Sequence, residues 1–161
     1  MRSTKNTALT SIGSYAFYGS SNGTGKKMEF ANLLSVGDAA FMGSNLLFSL
    51  NAAKLTSIGV SAFANSSANL SAGLTCGTVK YLGEHAFDSS GTKITQLVLD
   101  SSLSNDIGLG TYAFANCKGL GTLTFAKNAF ENPLGEYAFA GSTVSKVNSA
   151  DKTSGKYPRY P

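Results

Sequence analysis

The sequence predicts a solenoid: a stack of about six similar coils, with mainly short parallel β-strands joined by turns. Three observations carry this expectation. A six-residue phrase, aliphatic-Gly-x-x-Ala-Phe, recurs six times in the 161 residues. Its glycines are spaced by 24, 22, 24, 27 and 25 residues, a nearly fixed period. An apolar template precedes the phrase in successive coils. One coil cannot bury its own apolar face, so neighbours must stack into a continuous core.

The phrase reads Ile12-Gly13-Ser14-Tyr15-Ala16-Phe17 in the first coil and Val36-Gly37-Asp38-Ala39-Ala40-Phe41 in the second. It returns as Ile58-Gly59-Val60-Ser61-Ala62-Phe63 and Leu82-Gly83-Glu84-His85-Ala86-Phe87. The last two copies are Leu109-Gly110-Thr111-Tyr112-Ala113-Phe114 and Leu134-Gly135-Glu136-Tyr137-Ala138-Phe139. The aliphatic-Gly step reads as a turn, where a missing Cβ permits positive φ or close contact between coils. The Ala-Phe step sets a small residue against the neighbouring backbone and a large ring in the core. Phe17, Phe41, Phe63, Phe87, Phe114 and Phe139 share one register and are expected to stack as a buried ladder. Three residues after each Phe stands a small residue: Ser20, Ser44, Ser66, Ser90, Cys117 and Ser142. A hydroxyl there can bond a nearby backbone group.

Counting back from the glycine gives the template. Met28, Phe30, Leu33 and Val36 precede Gly37; Leu50, Ala52, Leu55 and Ile58 precede Gly59; Leu74, Cys76, Val79 and Leu82 precede Gly83. Later coils keep the strand as Ile94-x-x-Leu97-x-Leu99 and Leu120-x-x-Leu123-x-Phe125, and Val144-x-x-Val147 closes the series. The period-2 part reads as a short strand with alternate residues inward. Two coils are longer, through residues 100–106 and 126–133. Extra residues in a solenoid emerge as loops at one edge, as neutral growth or as a binding edge. The repeats are expected to fill residues 8–147. Residues 1–7 form an N-terminal edge, and residues 148–161, polar with Pro158 and Pro161, form a tail or linker.

Composition excludes several functions. Hydrophobic residues make up 42%, which is globular, and no apolar run is long enough to cross a membrane. The net charge of +4 sits at the two ends, and the repeat body is neutral. No basic stripe can follow phosphates, so no nucleic acid is expected as partner. The opening residues lack an apolar core, so they are not a signal peptide. The chain is therefore expected to be a piece of a longer protein, or a mature segment.

Reactive chemistry is sparse. His85 is the only histidine, and it occupies a slot held elsewhere by Tyr15, Ala39, Ser61, Tyr112 and Tyr137, so it reads as a variable surface residue. One His and two separated Cys cannot assemble a tetrahedral zinc site. Cys76 and Cys117 are 41 residues apart, in different coils, and read as two unpaired buried thiols. The stretches Gly23-Thr24-Gly25-Lys26-Lys27 and Ile107-Gly108-Leu109-Gly110 lack the spacing of a phosphate-binding loop or dinucleotide turn. No catalytic residue, metal site or cofactor is expected.

The phrase L-x-x-I-G-x-x-A-F-x-x-[CS]-x-x-L closely resembles the BspA-like, or Treponema-type, leucine-rich repeat. Residues Leu9 to Ser20 and Leu55 to Ser66 are near-consensus copies, and the resemblance covers roughly residues 8–147. It implies a leucine-rich-repeat solenoid, α/β horseshoe-like, with short strands on the concave side and turns or short helical pieces on the convex side. It further implies a cell-surface or secreted protein with a role in adhesion, and no catalytic residues. The family's proline after the strand is missing here, with Ala31, Ala53, Asp100 and Ala126 in that neighbourhood. Its frequent Cys after Ala-Phe survives only as Cys117.

These readings converge on a non-enzymatic binding or adhesion module whose partner is a host or microbial surface protein or glycan. A structural spacer or stalk within a longer surface protein is the alternative. The candidate ligand-binding face is the outward strand set: Lys27, Glu29, Ser49, Asn51, Thr75, Gln96, Val98, Thr122 and Thr124, with Lys146 beyond. The set is small, polar and nearly uncharged. Tyr15, Tyr18, Tyr112 and Tyr137 lie on the turn side, either as stacking platforms or as rings covering the surface between coils.

Overall fold

A computed structural model describes residues 4–21, 28–50, 54–67, 69–70, 75–91, 94–99, 110–118, 120–125 and 135–149. The insertions at residues 100–106 and 126–133 lie outside the described residues, as do Lys27, Ala52, Asn51 and Leu74.

Among the described residues every strand pairing is parallel, as a stack of coils requires. One sheet has the order β1-β3-β5-β7, from Thr4–Asn6, Met28–Phe30, Leu47–Leu50 and Asn69–Leu70. A second has the order β12-β11-β10-β8, from Val144–Ser149, Leu120–Phe125, Ile94–Leu99 and Thr75–Val79. The coil holding β7 and β8 is thus where one sheet gives way to the other. A third ladder of two-residue strands, β2-β4-β6-β9, runs through the aliphatic step before each glycine: Ser11–Ile12, Ser35–Val36, Ser57–Ile58 and Tyr81–Leu82.

Strand pairing is present at both margins of the repeats: Thr4, Lys5 and Asn6 pair with Met28, Glu29 and Phe30, and β12 continues to Ser149. A parallel edge offers backbone N–H and C=O groups whatever the side chains are, so a polar segment can extend it. Asn6 then turns the chain, its Oδ1 accepting from the Ala8 and Leu9 N–H groups at 3.1 and 3.0 Å. The template also slips in the third coil. Phe48 pairs with Met28 and Leu50 with Phe30, two residues earlier than Leu50-x-Ala52 predicts. An even shift preserves the alternation of faces, so the apolar pattern tolerates it.

The convex side is built of turns, one of the forms expected there. Six turn segments each hold two left-handed residues four apart. The first of each pair is Tyr15, Ala39, Ser61, His85, Tyr112 or Tyr137, at φ of 50 to 59°. The second is Gly19, Gly43, Asn65, Ser89, Asn116 or Gly141, at φ of 51 to 66°. Recurrent positive φ interrupts a right-handed helix. Alternate N–H groups bond the next coil instead. Those of Ser61, Phe63 and Asn65 donate to the Glu84, Ala86 and Asp88 carbonyls at 2.8, 2.7 and 2.9 Å, and the other coils repeat the pattern.

The core is one column. Consecutive rings from Phe17 to Phe139 stack at centroid separations of 5.0 to 5.3 Å, with planes within 10°. Phe41, Phe63, Phe87 and Phe114 are fully buried, and the alanines before them are too. Phe17 and Phe139 are partly buried. Leu33, Leu55 and Val79 on one side, and Val36, Ile58 and Leu82 on the other, close the core. The repeated glycines serve close contact, and none of Gly37, Gly59, Gly83 and Gly110 has positive φ. A methyl on Gly37 would lie 2.6 Å from the Ser14 nitrogen, and one on Gly83 would run into the Val60 and Gly59 backbone.

Candidate functional site

Two surfaces emerge from this stacking. On the strand side, the ladder register aligns most of the candidate residues into rows. Thr75 pairs with Gln96, Gln96 with Thr122, and Thr122 with Lys146, one residue from each of four successive strands. A second row runs Val98, Thr124, Asn148. In the other sheet Lys5, Glu29 and Ser49 share a row. Thr122 is half-buried and Lys146 exposed. The second sheet has one irregularity. Cys76 and Val79, three residues apart, face Leu97 and Leu99, two apart, so β8 holds an extra residue.

The turn side is built differently. His85, Tyr112 and Tyr137 occupy one slot in three successive coils, and their rings stack at 5.1 Å with planes within 11°. The column is exposed at its edge, and Tyr137 is 54% exposed. The coil-to-coil ladder holds the backbone of the first two: the His85 N–H donates to the Thr111 carbonyl at 2.9 Å and the Tyr112 N–H to the Glu136 carbonyl at 3.0 Å. At the other end of the stack Tyr15 and Tyr18 lie exposed with ring centroids 6.0 Å apart.

His85 has an acidic partner three residues on rather than its neighbour Glu84. Nδ1 lies 2.8 Å from Asp88 Oδ2, and a carboxylate only accepts, so Nδ1 carries the proton. Asp88 Oδ1 accepts from Ser89 Oγ at 3.0 Å and Asn116 Nδ2 at 3.4 Å. Partial burial raises the Asp88 carboxyl, but the hydrogen bonds from His85, Ser89 and Asn116, with the nearby His85 charge, outweigh it and hold the group below its ordinary value. Ser, Asp and His thus meet, in the wrong order for nucleophilic catalysis. A base must touch the nucleophile, and here the carboxylate stands between hydroxyl and imidazole.

Cys117 is free and buried. Its Sγ donates to the Phe87 carbonyl of the preceding coil at 2.8 Å. Burial first, with the Asp88 charge adding and a Ser90 backbone hydrogen bond opposing, pushes the thiol up to about 12. A thiol so raised is no nucleophile. Among the described residues no group of three His, Cys, Asp or Glu could hold a metal ion. None of their helices is long and apolar enough to cross a membrane.

The sequence placed Tyr112 and Tyr137 on the turn side and His85 in the same slot, but not their stacking into one column with His85, although three successive coils place a ring two residues after the glycine. A family model, the BspA type leucine rich repeat region in six copies, matches residues 3–120 and 80–156. No curated protein and no solved structure matches the chain.

Proposed function

The chain belongs to the BspA-type leucine-rich-repeat family, and from that premise we propose that it is a non-enzymatic adhesion module of a surface or secreted protein. The family is one of repeat protein-interaction modules, often on surface or secreted proteins, which supports both parts of the reading. The observation that carries it is the row Thr75, Gln96, Thr122, Lys146, set in register across four strands. Backbone pairing fixes the spacing of these positions, so a ligand meets a preordered surface and loses less entropy there. The partner is a host or microbial surface protein or glycan. Small polar side chains bury little apolar area, so one domain binds modestly and clustered copies bind through effective concentration.

The test is a binding screen of the immobilised chain against extracellular-matrix proteins and neutral glycans. The triple variant Gln96→Ala, Thr122→Ala, Lys146→Ala should weaken any captured ligand while the melting curve stays in place. His85→Ala should leave that binding unchanged, because sister coils carry Ala39 and Ser61 in the same slot. Capture that survives the triple variant would reject the strand face.

A further inference from the structure

We propose that the turn side of the stack is a second docking surface, and that it takes a lysine- or arginine-bearing segment of a partner protein in extended form. The inference does not depend on the strand face.

Charge is sorted in this molecule. The six turn segments, residues 14–20, 38–44, 60–66, 84–90, 111–117 and 136–142, contain Asp38, Glu84, Asp88 and Glu136 and no Lys or Arg. All 13 basic residues lie elsewhere. A chain of net charge +4 therefore presents one acidic side. Asp38, Glu84 and Glu136 are exposed, and Asp88 is partly so.

Among the described residues, the exposed aromatic residues gather on the same side. Tyr15, Tyr18 and Tyr137 are 65, 54 and 54% exposed; Glu84 and Glu136 directly precede His85 and Tyr137 of the ring column, and Asp88 holds the His85 ring. Tyrosine is a residue type that carries interface energy, and a stacked column has already lost the rotamer freedom that binding would remove. The rings also decide the kind of partner. In the His85–Tyr112–Tyr137 column the faces are turned to one another at 5.1 Å, so edges, hydroxyls and carboxylates meet solvent. Sugars stack on ring faces, and an internal column offers few of these. The aliphatic stems of Lys and Arg can lie along ring edges while their charged heads reach the carboxylates.

The spacing suits an extended chain. Glu84 and Glu136 hold the same slot two coils apart. Coils repeat at about 4.8 Å, so the two carboxylates are about 10 Å apart along the stack, and an extended peptide covers that span in about three residues. A partner in the extended polyproline II form, which returns to the same face every three residues at about 3.1 Å each, fits this register with basic residues at i and i+3.

The experiment uses a fluorescein-labelled peptide, Arg-Gly-Gly repeated four times, titrated with the full chain and read by anisotropy. The Arg peptide should bind, and the equivalent Glu-Gly-Gly peptide should not. Glu84→Gln with Glu136→Gln should weaken binding about fivefold, and raising salt from about 50 to about 200 mM should weaken it further. Tyr112→Ala with Tyr137→Ala should also weaken it. Should that pair unfold the chain, the two Glu→Gln changes, which alter no packing, still decide. The strand-row triple variant should bind the Arg peptide as the parent does. Equal binding of the Glu→Gln variant, or equal binding of the Glu peptide, would overturn the proposal. So would loss through the strand-row variant, or capture of a neutral β-linked oligosaccharide on these tyrosines with no binding of the Arg peptide.

Discussion

The His85 ring lies flat on that of Tyr112, centroids 5.1 Å apart and planes within 8°, while its Nδ1 holds Asp88 at 2.8 Å. One imidazole is thus fixed on its face by the next coil and on its edge by its own. The contact joins the stacking order of the coils to the charge of the turn side.

Acid sensitivity follows from Asp88. Its folded pKa lies below the unfolded value, so the ionised carboxylate stabilises the fold above the ordinary Asp value near 3.9. The contribution fades as pH falls through the folded value. Melting temperatures of the parent and Asp88→Asn should differ most near neutral pH and converge in acid. A difference that stays constant down to a pH of about 2 would show that the charge is not the source.

Close contact at the glycines predicts a contrast between two identical substitutions. Gly83→Ala would drive a methyl into the Val60 and Gly59 backbone, whereas Gly13 has nothing within 4 Å of that position. Gly83→Ala should destabilise by roughly 1–3 kcal/mol through overpacking, and Gly13→Ala should stay within about 0.5 kcal/mol of the parent. Urea midpoints measure both. Equal effects would show that the glycine serves something other than coil contact.

Cys117 should resist alkylation in the native protein, because it is buried and its thiol is raised to about 12. After denaturation without reductant, peptide mass mapping should find both Cys76 and Cys117 modified. A protected pair would mean a disulfide and would require Cys117 to leave its contact with the Phe87 carbonyl.

The Phe column was legible because Gly-x-x-Ala-Phe fixes the ring at a constant offset from a contact that cannot shift. Leu97 opposite Leu123 followed from the same logic, since those strands keep one template. The slip that sets Phe48, not Leu50, opposite Met28 was not legible, because two apolar residues two apart satisfy the pattern in either register. The resemblance implied turns or short helical pieces on the convex side. The turns found there depend on left-handed φ at residues such as Tyr112 and Ala39, whose identities carry no preference for it. Gly19, Gly43, Asn65, Asn116 and Gly141, four residues later, did carry that signal. Strand-face rows could be drawn from the template wherever it held, as at Gln96 and Thr122. His85's partnership with Asp88 depended on a tight turn that brings residues three apart together.

Both surfaces exist only because coils stack in register around the phenylalanines. Phe87 is fully buried between Phe63 and Phe114, at 5.0 and 5.3 Å, while Phe17 is partly buried and stacks on Phe41 alone within the column. The decisive measurement is equilibrium unfolding of Phe87→Ala beside Phe17→Ala. Phe87→Ala should lose about 3–5 kcal/mol, which is much of the margin of a small domain, and Phe17→Ala should lose clearly less. Parent-like stability of Phe87→Ala, or equal losses at the two positions, would contradict a fold held by one continuous column.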